Sequence, residues 1–164
     1  TGSGPSVDAM VSLEIGAIRL TDRYLPSDPP SPAELEALHL GIKEQLAHAP
    51  SASSDAALIG VSGTVTSLMG VHLGLDDMKE AAHQGEGRWL PKMAVERALH
   101  FFAARKASAR CRGTIIPPGR ADVIVAGTAL VLAIMRHYGT DQLRATRKGV
   151  RYGLLAELFE RDEL

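Results

Sequence analysis

One glycine-containing segment, residues 58–66, combines residue types that suit the binding of a phosphate group. Ser62, Gly63 and Thr64 follow a short apolar run and precede a helical pattern. A glycine lets the backbone approach an anion closely, and the free amides and positive dipole end of a helix favour an anion there. The spacing matches neither the nucleotide-triphosphate loop nor the dinucleotide fingerprint. A tight turn in which Thr64 caps the helix is the alternative interpretation.

A second candidate is Arg120, which precedes a long apolar run. Its planar guanidinium suits phosphate, and its position at a helix start would let it reach into a cleft. Asp122 could complement the helix dipole. The alternative is a salt bridge between Arg120 and Asp122 or a neighbouring acid.

A third candidate group contains Lys148 and Arg151, which alternate with Gly149 and Gly153 where a last helix should begin. Cations at a helix N-terminus oppose the helix dipole, which indicates an anionic partner. A solvated helix start is the plainer interpretation.

Other reactive side chains do not form a recognisable active site. The six histidines show no zinc-binding spacing, so we predict no metal site within this chain. No neighbouring base is identifiable for the nucleophile candidates, and no pair can be assigned among the candidate acids or bases; these residues are Ser62, Ser67 and Cys111, and Glu14, Glu86 and Glu96. The local chemistry therefore favours a phosphate-binding lobe over a self-sufficient active site.

Positive charge is concentrated in one part of the chain. Residues 105–151 contain 10 Lys or Arg and 2 acidic residues, although the formal charge of the whole is −1. Such a block can attract polyphosphate, nucleotide or nucleic acid through long-range steering, or it can be a solvated basic face.

Hydrophobic periodicity indicates strands that alternate with helices. The predicted strands are 11–20, 57–61 and 143–146, the predicted helices are 31–48, one after Gly63, 91–106, 121–138 and 149–161, and 76–91 should be irregular. Residues 1–10 resemble a linker or a cloning remnant. This pattern predicts an α/β fold, helix-rich with a small mixed sheet, which could be half of a larger assembly.

Composition indicates one globular domain of a reducing compartment. The single cysteine permits no intramolecular disulfide, and no secretory leader opens the chain, so we expect a cytoplasmic protein. The longest apolar stretch, 123–135, is too short for a membrane span. We expect it to form a buried helix.

Four segments in order resemble the exopolyphosphatase and guanosine pentaphosphate phosphatase family, Ppx/GppA. They read SLEIGAIRLTD from Ser12, IGVSGTVT from Ile59, GRADVIVAG from Gly119 and KGVRYGLL from Lys148. The resemblance covers about residues 11–158. It identifies residues 11–164 as the C-terminal lobe of such a phosphatase.

The resemblance implies a ribonuclease H-like lobe of the sugar kinase, Hsp70 and actin superfamily. It also implies Mg²⁺-assisted attack of water on a terminal phosphoryl group in a cleft between two lobes. The family's catalytic glutamate and glycine-rich phosphate loop belong to the N-terminal lobe, so we expect this chain to be a fragment that is inactive alone.

Carried over by position, Gly63 and Thr64 lie in the family's second glycine motif, and Arg120 lies in its GRAD motif. Ser62 stands where the family usually has another glycine, so a side chain could narrow the approach of the backbone to phosphate. Together with the local patterns, the predicted phosphate-binding residues are Gly63, Thr64, Arg120, Lys148 and Arg151.

Several functions remain open at this stage. The leading one is a lobe that binds polyphosphate, with a guanosine tetra- or pentaphosphate as the alternative ligand. A non-catalytic module that binds nucleotides or polyanions is an alternative of another class. The absence of a helix-turn-helix or aromatic stacking motif argues against nucleic acid. We also expect a homo-oligomer, because an isolated lobe would expose apolar surface.

Overall fold

The computed structural model describes residues 1–3 and 6–160. The helices are α1 Ala17–Tyr24, α2 Pro32–Leu46, α3 Gly63–Leu73, α4 Met78–Gln84, α5 Lys92–Ala103, α6 Ala107–Arg110, α7 Ile124–His137 and α8 Val150–Glu160, and a short 3₁₀ turn spans Pro118–Arg120. The strands are β1 Gly2–Ser3, β2 Ser6–Val7, β3 Ile59–Gly60, β4 Trp89–Pro91 and β5 Gln142–Ala145. In the described part of the chain, no helix has both the length and the apolar composition needed to cross a bilayer.

Helix α2 begins where the sequence predicts, because Ser31 and Glu34 cap its first turn reciprocally. The Ser31 hydroxyl accepts from the Glu34 amide at 3.3 Å, and the Glu34 carboxylate accepts from the Ser31 amide at 2.5 Å. Pro32 occupies the first helical position, where a missing amide hydrogen costs nothing. Hydrogen bonds from Ser31 to the Glu34 carboxylate, chiefly that from its backbone amide, lower the pKa of Glu34 from 4.5 to about 2.

Helix α7 lies at the centre of the core, as its nearly all-apolar sequence predicts. It packs against α1, α2, α3 and α5, and Val125, Ala126 and Met135 are fully buried. Gly127 permits the closest approach, because a Cβ there would lie 2.8 Å from the Thr64 hydroxyl on α3 and 3.3 Å from the Ala17 methyl on α1. Three helices thereby meet at one point of α7.

A small mixed sheet lies beside these helices, with strand order β3-β5-β4. Strand β3 runs parallel to β5, whereas β4 runs antiparallel to it, with Trp89 opposite Arg144. Leu90 and Leu143 are buried on one face. The other face carries the exposed Trp89, whose ring centroid lies 5.9 Å from the Arg144 guanidinium carbon. The helix-rich α/β fold with a small mixed sheet is confirmed.

The predicted strand at 11–20 is wrong. Helix α1 starts at Ala17 within this stretch, with Gly16 as its N-cap residue in an extended conformation. The apolar spacing there suits a helix as well as a strand, and packing of Leu20 and its neighbours against α7 selects the helix. Among residues 1–10, β1 and β2 form a short antiparallel pair. The linker assignment for those ten residues stays a prediction.

Two further expectations need correction. The stretch 76–91 contains α4, which Asp77 caps by accepting from the Glu80 amide at 2.8 Å, and it ends in β4. In the last helix, apolar residues at helical spacing predict a buried face, but these residues are exposed; they are Leu154, Leu155, Leu158 and Phe159. Each residue of α8 with a described side chain is exposed, so its apolar side chains belong to no core among the described residues. The predicted end of this helix, Arg161, lies outside the described residues.

The remaining predicted elements are present with shorter bounds. The strands at 57–61 and 143–146 correspond to β3 and β5, and the helix at 91–106 corresponds to α5. Phe102 of α5 is fully buried, whereas Met93 at its start is 66% exposed. Met93 therefore faces solvent, whereas its neighbours Ala94 and Val95 are buried.

Candidate functional site

The turn between β3 and α3 presents the positive end of a helix. Ser62 is its N-cap residue, and the Ser62 hydroxyl accepts from the Val65 amide at 3.1 Å. The interpretation that Thr64 caps the helix is therefore wrong. The amides of Gly63 and Thr64, in the first helical turn, have no acceptor within the helix. They are free to donate to an anion at this end of α3.

Arg120 lies directly over this turn. A Cβ on Gly63 would overlap the Arg120 guanidinium, so only glycine leaves room for the side chain in this position. The Nη1 atom of Arg120 is buried and has no hydrogen-bond partner. The structure contains no ion pair between Arg120 and Asp122, although both residues are described, and Asp122 is exposed. A buried guanidinium nitrogen without an acceptor destabilises the folded protein unless a ligand supplies the acceptor.

The Thr64 side chain packs against helix α7. Its hydroxyl and methyl lie against α7 at Gly127. The role left for Thr64 at the turn is its backbone amide, while its side chain fixes the packing of α3 on α7. Sequence alone could not separate these two roles.

The segment after β5 lies beside the same turn. The Thr146 amide donates to the Gly60 carbonyl at 3.0 Å, and a Cβ on Gly149 would lie 3.1 Å from a methyl of Val61. Lys148 and Arg151 extend from this segment and are exposed. Three of the sequence segments that carry candidate residues thus meet around the start of α3.

Glu86 holds this last segment in place. One carboxylate oxygen accepts from the Thr146 hydroxyl at 2.7 Å, and the other accepts from the Arg147 amide at 2.9 Å. The hydroxyl bond, the amide bond and the charges of Lys148 and Arg147 lower the pKa of Glu86. A carboxylate with a lowered pKa and both oxygens engaged is a poor general base. Glu86 is therefore an anchor for the segment that carries Lys148, a role that sequence spacing did not indicate.

The other candidate acids are also engaged. Glu96 accepts from Arg136 at 3.0 Å, and Glu14 pairs with Arg19. Among the described residues there is no group of three or more His, Cys, Asp or Glu side chains that could hold a metal ion. The site can therefore bind and orient an anion through amides and cations, and none of the three candidate acids, Glu14, Glu86 and Glu96, is free to act as its base.

Comparison with known sequences identifies the class. A sequence profile of the Ppx/GppA phosphatase family matches residues 1–162, so the chain belongs to that family. It is similar to Exopolyphosphatase 2 of Mycobacterium tuberculosis, with 28% identity over 162 residues. That match covers 93% of this chain and 49% of the relative. The chain thus spans about half the length of the curated relatives it matches.

Solved structures agree with the fold. An Aquifex aeolicus PPX-GPPA enzyme superposes with a TM-score of 0.88 at 23% identity, covering 95% of this chain and 51% of that one. An exopolyphosphatase from Cytophaga hutchinsonii superposes with a TM-score of 0.70 at 21% identity, covering 90% and 48%. The fold of this chain is therefore that of about half of each of these solved chains.

Proposed function

We propose that this chain is the C-terminal, phosphate-binding lobe of an exopolyphosphatase that removes terminal phosphoryl groups from polyphosphate. The observation that carries the proposal is the Arg120 guanidinium, held over Gly63 at the start of α3 with a buried nitrogen that lacks an acceptor. A phosphate oxygen would supply that acceptor. The family and the exopolyphosphatase relatives support polyphosphate as the substrate class.

In this proposal the lobe positions and neutralises a terminal phosphoryl group. Arg120 and the amides of Gly63 and Thr64 contact its oxygens, and Lys148 and Arg151 attract the rest of the chain of phosphates. Phosphoryl transfer depends mainly on such positioning and charge stabilisation. The carboxylate that activates water comes from outside the described residues. The chain alone should therefore release no phosphate from polyphosphate, and measurable release would contradict this division of labour.

Mg²⁺ is proposed as the metal of the reaction, where it would neutralise phosphate charge. The described residues do not fit a protein-held Mg²⁺, because no acidic cluster lies among them.

Guanosine pentaphosphate is the alternative substrate. The family name covers both activities, and the residues proposed for the site suit the phosphate groups that both substrates carry. Competition between tripolyphosphate and guanosine pentaphosphate for the same site would rank them.

The cellular setting and assembly follow from simpler features. We propose a cytoplasmic location, which a single, unpaired cysteine suits. We also propose a homo-oligomer, since the large apolar side chains of α8 are exposed. A single monomeric mass by light scattering at high protein concentration would refute the oligomer.

The binding proposal is tested with Arg120→Ala and a matched control. Arg112 is an exposed arginine in the same basic block, so Arg112→Ala removes the same charge without touching the site. With tripolyphosphate as the probe, we expect Arg120→Ala to weaken binding by roughly 10- to 100-fold, the value of one charge-assisted hydrogen bond. Arg112→Ala should change it about twofold or less, as a screened surface charge does. Equal losses of affinity in the two variants, measured calorimetrically at a fixed salt concentration, would mean that Arg120 contributes only general electrostatic attraction.

A further inference from the structure

Arg110 is a buried arginine that does not belong to the phosphate-binding residues proposed above. Its side chain is 3% exposed. Nε donates to the Phe102 carbonyl at 2.8 Å, Nη1 donates to the Ala121 carbonyl at 2.9 Å, and Nη2 donates to a carboxylate oxygen of Asp28 at 3.0 Å. One guanidinium thus joins the last turn of α5, the turn just before α7 and the loop before α2.

The bond to Ala121 is the one that concerns the site. Ala121 follows Arg120 directly, and its amide closes the 3₁₀ turn by donating to the Pro118 carbonyl at 3.2 Å. The same peptide segment is therefore held on both sides of Ala121. This restraint fixes the direction in which the Arg120 side chain leaves the backbone.

Arg120 needs such a restraint, because its own guanidinium is weakly anchored. Its Nη1 atom has no partner, and its known contact is packing over Gly63. The position of the guanidinium must therefore be set mainly by the backbone that carries it. Proteins hold binding groups by second contacts of this kind, and small displacements there cost affinity.

Asp28 completes the arrangement around Arg110. Its carboxylate oxygens accept from Arg110 and from the Ala107 amide, at 2.9 to 3.0 Å. Asp28 thereby neutralises the buried charge of Arg110 and holds the first amide of α6, the short helix that carries Arg110. Lysine could not reproduce this pattern, since its three donors leave one nitrogen and cannot reach acceptors on three separate segments.

We propose that Arg110 is a positioning residue for Arg120, and that the Asp28–Arg110–Ala121 chain of contacts sets the affinity of the phosphate site without touching phosphate. The inference rests on the proposed function, because the affinity in question is that of Arg120 for phosphate. The restraint on Arg120 itself holds in the ligand-free protein and can be measured separately.

The test is a double-mutant cycle on the full chain, with tripolyphosphate as the probe. Arg110→Lys keeps the positive charge but removes the guanidinium donors that reach three separate acceptors. We expect it to weaken tripolyphosphate binding by roughly 10- to 100-fold, because Arg120 is no longer held in position. In an Arg120→Ala background, the same substitution should change affinity by about twofold or less. An equal loss in both backgrounds would mean that Arg110 acts on the fold in general, and would overturn the proposal.

A ligand-independent measurement separates this proposal from the proposed function. In the free protein, the Arg120 Nε–H signal should show restricted motion by NMR relaxation, and Arg110→Lys should remove that restriction. Leu38→Ala, a core substitution on α2, serves as the control that lowers stability and leaves Arg120 ordered. Unchanged Arg120 order in Arg110→Lys would overturn the positioning role even if polyphosphate bound elsewhere. Failure of Arg120→Ala to weaken binding, with Arg120 order lost in Arg110→Lys, would overturn the proposed function alone.

Asp28→Asn provides a second route if Arg110→Lys does not fold. It keeps the guanidinium and both carbonyl acceptors and removes the counter-charge. We expect the same direction of effect on Arg120 order and on affinity, with a smaller size. Wild-type order and affinity in Asp28→Asn would overturn the proposal that the Asp28–Arg110–Ala121 chain of contacts positions Arg120.

Discussion

Gly63→Ala is the sharpest available perturbation of the site, because it adds one methyl group where the Arg120 guanidinium lies. Gly63 is the first residue of α3, and the added Cβ would overlap the guanidinium. The side chain of Arg120 must move, since it is the flexible partner. The helix itself tolerates alanine, which is better by about 0.5–1 kcal/mol than glycine in a helix interior and by less at its end.

The expected result is therefore a separation of stability from affinity. The free energy of unfolding should stay level or rise by less than about 1 kcal/mol. Affinity for tripolyphosphate should fall by roughly 10- to 100-fold, because a charge-assisted hydrogen bond of about 1.5–3 kcal/mol is lost when Arg120 is displaced. Calorimetric titration and chemical denaturation of the same sample measure the two quantities.

Gly119→Ala is the matched control. It lies in the turn that carries Arg120, and a Cβ there would meet nothing within 4 Å. Both affinity and stability should stay close to those of the wild type. If Gly63→Ala bound tripolyphosphate within about twofold of the wild type, the observed place of the guanidinium would be irrelevant to binding and the reasoning would fail.

Three further outcomes are expected. Phe102→Ala should lower the free energy of unfolding by about 3–5 kcal/mol, because the ring is fully buried and leaves a cavity; urea denaturation measures it, and a loss below about 1 kcal/mol would contradict the packing. Ser31→Ala should lower the free energy of unfolding by about 1 kcal/mol, because the helix cap is lost. Because the pKa of Glu34 is lowered to about 2, the stability that its carboxylate contributes is complete above pH 4.5 and is lost as the pH falls toward 2. Glu34→Gln should therefore make the melting temperature less dependent on pH over that range. Glu86→Gln should loosen the segment at Thr146, which would be measured as faster amide hydrogen exchange there. The wild-type protein should lose the same protection as the pH falls below 4.5, because the folded-state pKa of Glu86 is lowered. An exchange rate in the variant equal to that of the wild type would show that the carboxylate is dispensable.

Local sequence rules predicted the elements whose cause is local. The capping box at Ser31 and Glu34 forms within one helical turn, so it was readable from residue types and spacing alone. The apolar run of α7 could only be a buried helix, given its length and composition. The error at residues 11–20 arose where apolar spacing fitted two periods and packing against α7 made the choice.

The candidate site divides in the same way. Gly63 and Arg120 were predicted from their residue types and from the family resemblance, and the structure brings them into contact. Their contact spans more than fifty residues of sequence, so no local rule specifies it. The roles of Glu86 and Arg110 were missed for that reason: a carboxylate and a guanidinium have many functions, and only their distant partners distinguish an anchor from a base or a surface charge.

The sequence by itself therefore determined the family, the helices with local caps and the residue types able to bind phosphate. The tertiary structure decided which of those residues meet, that the Thr64 side chain faces α7, and that the apolar residues of α8 stay exposed. The physical reason is range: capping and periodicity act over a few residues, whereas the buried nitrogen of Arg120 and the bonds of Arg110 depend on segments that only packing brings together.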